Sequence, residues 1–135
     1  MSSREKIKQG QVNLSRACGE LTQFIRESTG RKIEIAGVIQ AFEFTFETCW
    51  HLFQKIAAYQ GTDAAMPRLA IAAAFQMNLI QDEGVWLQMM KDRNRTSHTY
   101  NQETAKAIYD AIVASYAPEI ARVIDAIQDY FSQQP

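Results

Sequence analysis

Apolar residues return every three or four positions along nearly the whole chain, runs of β-branched residues are absent, and glycine and proline are scarce. That pattern predicts an all-α protein. The first helix is expected from about Ser3 to Glu27, with Ile7, Leu14, Cys18, Leu21 and Ile25 on one stripe and Ser28-Thr29-Gly30 closing it. A second, from about Lys32 to Gln60, carries Ile35, Ile39, Phe42, Phe46, Cys49, Phe53 and Ile56 on one face and Phe44 and Trp50 on others. A helix apolar nearly all round sits in the middle of a bundle, or has one face in the bundle and another against a partner subunit. Glu43 and Glu47 interrupt it one turn apart, on the side of Trp50.

Gly61 to Pro67 reads as a loop, with Pro67 opening a short third helix that ends near Ile80. Asp82 is placed to cap a fourth helix from about Glu83, which leads through Val85, Trp86, Met89 and Met90 into the segment Arg93 to Tyr100. A last helical stretch runs from about Gln102 to Phe131, kinked or broken at Pro118, with Ile108, Ile112, Tyr116, Ile120, Ile124, Ile127 and Phe131 as its core face.

The chain has 135 residues, enough for a single domain over 1–135 with a real core, and 47% apolar and 21% charged residues are ordinary for a soluble globular protein. Fourteen basic against fifteen acidic side chains leave a formal charge of -1, so no general cationic field exists to hold nucleic acid. Any RNA contact must be local. The N-terminus MSSREKIKQG lacks the apolar region of a signal peptide, and the longest apolar run, Leu69 to Phe75, is too short to span a bilayer; a cytoplasmic protein without membrane contact is expected. Cys18 and Cys49 lack the spacing that zinc needs and read as buried free thiols. No phosphate-binding loop, dinucleotide fingerprint, HExxH, GxSxG or ExxH pair is present, so neither a metal nor a cofactor is expected. Met66, Met77, Met89 and Met90 read as core filler, and His51 as an ordinary histidine.

The most specific segment is Arg93-Asn94-Arg95-Thr96-Ser97-His98-Thr99-Tyr100, which reads R-N-x3-H-x-Y. A guanidinium holds a phosphate with two parallel hydrogen bonds, an imidazole titrates near neutral pH, and a phenol accepts a covalent modification. On an ideal helix Arg93 and Tyr100 fall within about 20° of each other, whereas Arg93 and His98 stand about 140° apart. The latter two converge only if the helix frays near Thr96-Ser97 or a second subunit completes the site. Asn94, four residues before His98, can hydrogen-bond one ring nitrogen. Against this stands a purely structural use of Arg93, packed on an apolar stripe and paired with Glu43 or Glu47.

The R-N-x3-H-x-Y segment, late in a small all-α chain, resembles the R-x4-H-x-Y signature of HEPN-domain proteins, particularly those paired with a minimal nucleotidyltransferase. Phe42-Glu43-Phe44-Thr45-Phe46-Glu47-Thr48-Cys49-Trp50 is similar to the F-E-[FL]-T-[FY]-E-x-x-W segment of nucleotidyltransferase substrate-binding proteins, and Pro67 through Ile80 follows the same group. The resemblance implies an up-and-down bundle of four to five helices, usually homodimeric, with a separately encoded minimal nucleotidyltransferase as partner. It also implies that the dimer cleft brings two motifs together, that toxic members cleave RNA without metal, and that the partner silences them by adding AMP to the motif tyrosine. By position those roles fall on Arg93, His98 and Tyr100, with Asn94, Glu43 and Glu47 in support.

The chemistry suits these side chains. Neutral His98 can take the proton of a ribose 2′-hydroxyl as it attacks the adjacent phosphate, while Arg93 neutralises charge on the phosphorane oxygens. AMP on Tyr100 would add bulk and negative charge beside Arg93. Three expectations follow: an RNA-cleaving toxin subunit controlled through Tyr100, a noncatalytic substrate-binding subunit of a nucleotidyltransferase complex, or a helical dimer whose motif is only an interface network.

Overall fold

The computed structural model describes residues 2–133. Met1, Gln134 and Pro135, the outer positions of the expected domain, lie outside the described residues. Among the described residues every regular element is helical and none is a strand: α1 Ser3–Glu27, α2 Lys32–Tyr59, α3 Pro67–Gln76, α4 Glu83–Arg95, a short 3₁₀ turn Thr96–His98, α5 Gln102–Ala111, a π turn Ile112–Tyr116, and α6 Ala117–Ser132.

Helix α2 is the centre, packing against α1, α3, α4, α5 and α6. All seven of its predicted stripe residues are buried, and Val38, Ala41, Thr45, Leu52 and Ala57 join them, so the helix is covered on most sides. Burying a large apolar side chain contributes roughly 1.5–3 kcal/mol, which makes this helix the main source of cohesion. Thr45 is fully buried without an orphaned hydroxyl, since its Oγ1 donates to the Ala41 carbonyl at 2.7 Å, with the Ala17 carbonyl at 3.2 Å able to share the same proton. Helix α1 lies close enough to α2 that a Cβ on Gly10 would come within 2.8 Å of Leu52 Cδ1. Cys18 and Cys49 are buried and free, and desolvation pushes both thiols above their ordinary titration range.

The turn between α1 and α2 is closed by Glu34. Its Oε1 accepts from the backbone amides of Thr29 at 2.9 Å and Arg31 at 3.0 Å and from the Thr29 hydroxyl at 2.9 Å. These donors hold the carboxyl below its ordinary titration range. Gly30, at φ 90°, takes the left-handed conformation that lets the chain reverse.

The third helix ends at Gln76, four residues before the expected Ile80. Asn78 adopts φ 60°, and the amides of Met77 and Leu79 bond back to the carbonyls of Ala73 and Ala74, so a left-handed residue stops the helix. Leu79 and Ile80 are buried beyond its end. Met89 is buried and Met77 and Met90 pack against the core, but Met66 stands exposed as the residue preceding Pro67; the chain enters α3 there in an extended conformation.

At Pro118 the backbone stays helical, passing from α5 through the π turn into α6, which starts one residue before the proline. A wider turn absorbs one extra residue and relieves the demand for the amide that proline lacks. It also resets the apolar phase. Steps of four drift by about 40° each on an α-helix, so Ile108, Ile112, Tyr116 and Ile120 remain buried together only with that extra residue. Beyond it the buried face continues through Val123 and Ile127, and the expected Ile124 and Phe131 are only partly covered.

Candidate functional site

The segment Arg93 to Tyr100 begins in the last turn of α4 and leaves it. Asp82 caps that helix, its Oδ1 accepting from the Val85 amide at 3.3 Å, and Trp86 and Met89 bury its core face. Helix α4 ends at Arg95, where the chain tightens into the 3₁₀ turn. Thr96 makes the change: its buried hydroxyl donates to the Arg93 carbonyl at 2.7 Å, taking an acceptor from the helical ladder. The Thr99 hydroxyl donates to the Thr96 carbonyl at 3.0 Å, and Asn101 then caps α5 through the amides of Glu103 and Thr104.

Arg93 meets the carboxylates anticipated on α2. Its Nε lies 3.1 Å from Glu47 Oε1, close but without the alignment of a hydrogen bond, and its NH1 lies 3.7 Å from Glu43 Oε2. NH1 also donates to Thr96 Oγ1 at 3.3 Å. Glu47 is held from its other side by Trp50, whose indole donates to Oε2 at 2.9 Å. About a third of each of these charged side chains is exposed, so the pairs orient more than they stabilise, contributing about 1 kcal/mol or less apiece.

His98 and Tyr100 stand in solvent, Tyr100 at 83% exposure, with their rings edge to face at 6.2 Å. The ideal-helix expectation that Arg93 and Tyr100 share one stripe fails because α4 stops at Arg95 and the intervening steps are not α-helical. The expected tie between Asn94 and His98 is also unformed: Asn94 is exposed, and no hydrogen bond links the two side chains among the described residues. A 3₁₀ turn carries the imidazole off the i, i+4 line on which that bond depended. The chain does leave the α-helix near Thr96-Ser97, yet Arg93 and His98 make no hydrogen bond to each other. His51 is exposed, stacked on Trp50 at 3.9 Å, with Nδ1 2.6 Å from the Glu47 carbonyl oxygen.

A second cluster adjoins the motif and was not anticipated from the residues. Asp92 is only 5% exposed and accepts from the Tyr116 hydroxyl at 2.5 Å, from Arg95 NH1 at 3.0 Å and from the Gln88 amide at 3.4 Å. Burial, followed by the adjacent carboxylate, pushes the Tyr116 phenol well above its ordinary range, so it remains a donor at physiological pH. The spacing of Asp92 and Arg95 was a visible signal for one bond. Tyr116, 24 residues away and on an apolar stripe, gave none.

Known proteins share this arrangement of helices. A curated relative from Haemophilus influenzae, named a probable ribonuclease HepT, is 35% identical over a match covering 58% of this chain and 57% of the relative. The chain thus spans little more than half the length of the curated relative it matches. A crystal structure from Thermus thermophilus aligns with a TM-score of 0.72 at 28% identity, covering 86% of this chain and 96% of the other. A second solved structure, from Haemophilus influenzae, is described as revealing the fold of a substrate binding domain of a nucleotidyltransferase. It aligns with a TM-score of 0.66 at 23% identity over 92% of this chain and 98% of the other, which establishes the shared helical fold. The family described as nucleotidyltransferase substrate binding protein like matches residues 9–129, and with the all-helical bundle and the intact R-N-x3-H-x-Y segment, the chain belongs to that family.

Proposed function

We propose that this protein is the HEPN-type partner of a minimal nucleotidyltransferase, that it works as a homodimer, and that Arg93 and His98 cleave RNA until AMP is placed on Tyr100. The carrying observation is the joint exposure of His98 and Tyr100 in one tight turn directly after the helix that holds Arg93. An imidazole in solvent can reach a ribose, and a phenol this exposed can enter another enzyme's active site. Phe44 and Ile33 support a dimer, since both stand exposed on α2 and Phe44 lies between Glu43 and Glu47, the residues that engage Arg93.

In this mechanism neutral His98 removes the proton of the 2′-hydroxyl, the 2′-oxygen bonds to the adjacent phosphorus, and the bond from phosphorus to the 5′-oxygen breaks, that oxygen taking up a proton from water. Arg93 offsets the charge that builds on the phosphorane, with Glu43, Glu47 and Asn94 in support. The products are a 2′,3′-cyclic phosphate and a 5′-hydroxyl. In the control step the Tyr100 oxygen, giving up its proton to water, attacks the α-phosphorus of ATP on the partner and pyrophosphate leaves.

The test is cleavage of end-labelled total RNA and tRNA in EDTA by unmodified protein and by His98→Ala. Cleavage by the parent alone, ending in cyclic phosphate, is the expected result. Co-expression with the nucleotidyltransferase should add AMP mass to the parent and none to Tyr100→Phe. A second reading, a noncatalytic substrate-binding subunit, is favoured by the engagement of Arg93 with two carboxylates. Absence of cleavage by verified unmodified dimer would select it.

A further inference from the structure

The motif's first cation is poorly placed to hold a phosphate alone. Arg93 faces two carboxylates, so the corner it occupies carries an excess of negative charge, and an incoming phosphodiester meets Glu43 and Glu47 together with the guanidinium. Two residues on, Arg95 stands differently. Its side chain is half exposed, and a single donor, NH1, is engaged, on Asp92. A guanidinium has five donors in a planar fork, which leaves four free of any protein partner among the described residues.

What holds Arg95 is unusual for a surface arginine. Asp92 is buried, and its second oxygen takes the hydroxyl of Tyr116 at 2.5 Å. Tyr116 closes the π turn, and its ring stacks on Phe42 of the central helix at 5.6 Å, so the chain from Arg95 through Asp92 ends in the core. A buried charge that anchors a half-exposed one restricts it far more than an ordinary surface pair does.

Winding then decides which cation accompanies His98. Arg95 immediately precedes the 3₁₀ turn and His98 ends it. Residues three apart eclipse in a 3₁₀ helix, about 6 Å along its axis. Arg95 and His98 therefore rise from one side of the chain. Arg93 and His98 are separated by two steps of about 100° and three of about 120°, which leaves them about 160° apart.

We propose that Arg95 is a phosphate-binding residue of the site, acting on single-stranded RNA from the same protomer as His98, and that Asp92 and Tyr116 are the positioning residues that hold it. This rests on the reading of the motif as an RNA site.

The test is binding of a fluorescent single-stranded RNA oligonucleotide to the full chain carrying His98→Ala, across a series of KCl concentrations. Arg95→Gln added to that background is expected to weaken binding about tenfold, as loss of one charge-assisted hydrogen bond does, and to flatten the salt slope by about 0.7, the contribution of one phosphate on a single strand. Arg95→Lys should keep the slope and lose affinity, because charge remains and the fork does not. Tyr116→Phe, which removes one oxygen and leaves every charge, should weaken binding severalfold with the slope unchanged. If Arg95→Gln, shown folded by circular dichroism, keeps the parental affinity and slope, Arg95 is a surface ion pair and the proposal fails while the RNA reading stands. If neither the parent nor the wild type binds RNA at any salt concentration, both fail together.

Discussion

At the scale of single residues, Arg93 separates function from stability. Its contacts to Glu43 and Glu47 are partly exposed, so Arg93→Ala should lower stability by only about 1 kcal/mol. On the proposed mechanism, in which Arg93 offsets phosphorane charge, the same substitution should lower RNA cleavage about 10²- to 10³-fold. Thermal melts and cleavage rates measured on the same preparation check the split, and a large loss of stability would mark Arg93 as structural. Glu34 offers a cleaner case, because its carboxyl titrates below its ordinary range under the hydrogen bonds from Thr29 and Arg31. A depressed carboxylate contributes stability that is present above its unfolded pKa and lost as pH falls through the folded one. Glu34→Gln should therefore melt below the parent at pH 7, with the gap closing under acid conditions below the carboxylate range. Both residues were visible in the sequence, but only for Arg93 were the partners nameable. Glu43 and Glu47 lay one turn apart on a helix that had to cross it, whereas the bonds of Glu34 depend on how tightly the chain reverses at Gly30.

At the scale of elements, periodicity placed α1, α2 and the start of α4 closely, because long amphipathic stretches bounded by caps leave few alternatives. The failures are terminations. Helix α3 stops early because Asn78 turns left-handed, a conformation asparagine tolerates but no apolar pattern announces. Asn78→Ala should cost about 1 kcal/mol through strain at that position, while Asn78→Gly should be neutral or stabilising; chemical denaturation of the two variants checks it. The π turn is the other case. Isoleucine and tyrosine at steps of four on either side of it look like a slightly drifting helix, and only packing of both halves against the same core selects the wider turn. The same turn delivers Tyr116 to Asp92.

At the scale of the whole molecule, the central position of α2 makes its largest buried side chains the most costly to remove. Phe53 is fully buried and meets Trp86 edge to face at 5.3 Å, so Phe53→Ala should lose about 3–5 kcal/mol in urea unfolding, a large part of the roughly 5–15 kcal/mol typical of a domain. Phe44 is the opposite case, 65% exposed on the same helix. In the proposed dimer, Phe44→Glu should shift the protein to monomer in sedimentation; a dimeric parent left unchanged would place the interface elsewhere, and a monomeric parent would overturn the dimer. The all-α class, the central helix and the membership of the motif were written in the chain, since spacing and residue type are local properties that survive without a fold. That the Tyr116 hydroxyl reaches Asp92, the buried carboxylate that holds Arg95, was decided only in the tertiary structure. That bond joins residues 24 apart on separate elements and depends on the π turn that sets the direction of Tyr116, and neither is carried by the order of amino acids within a single element.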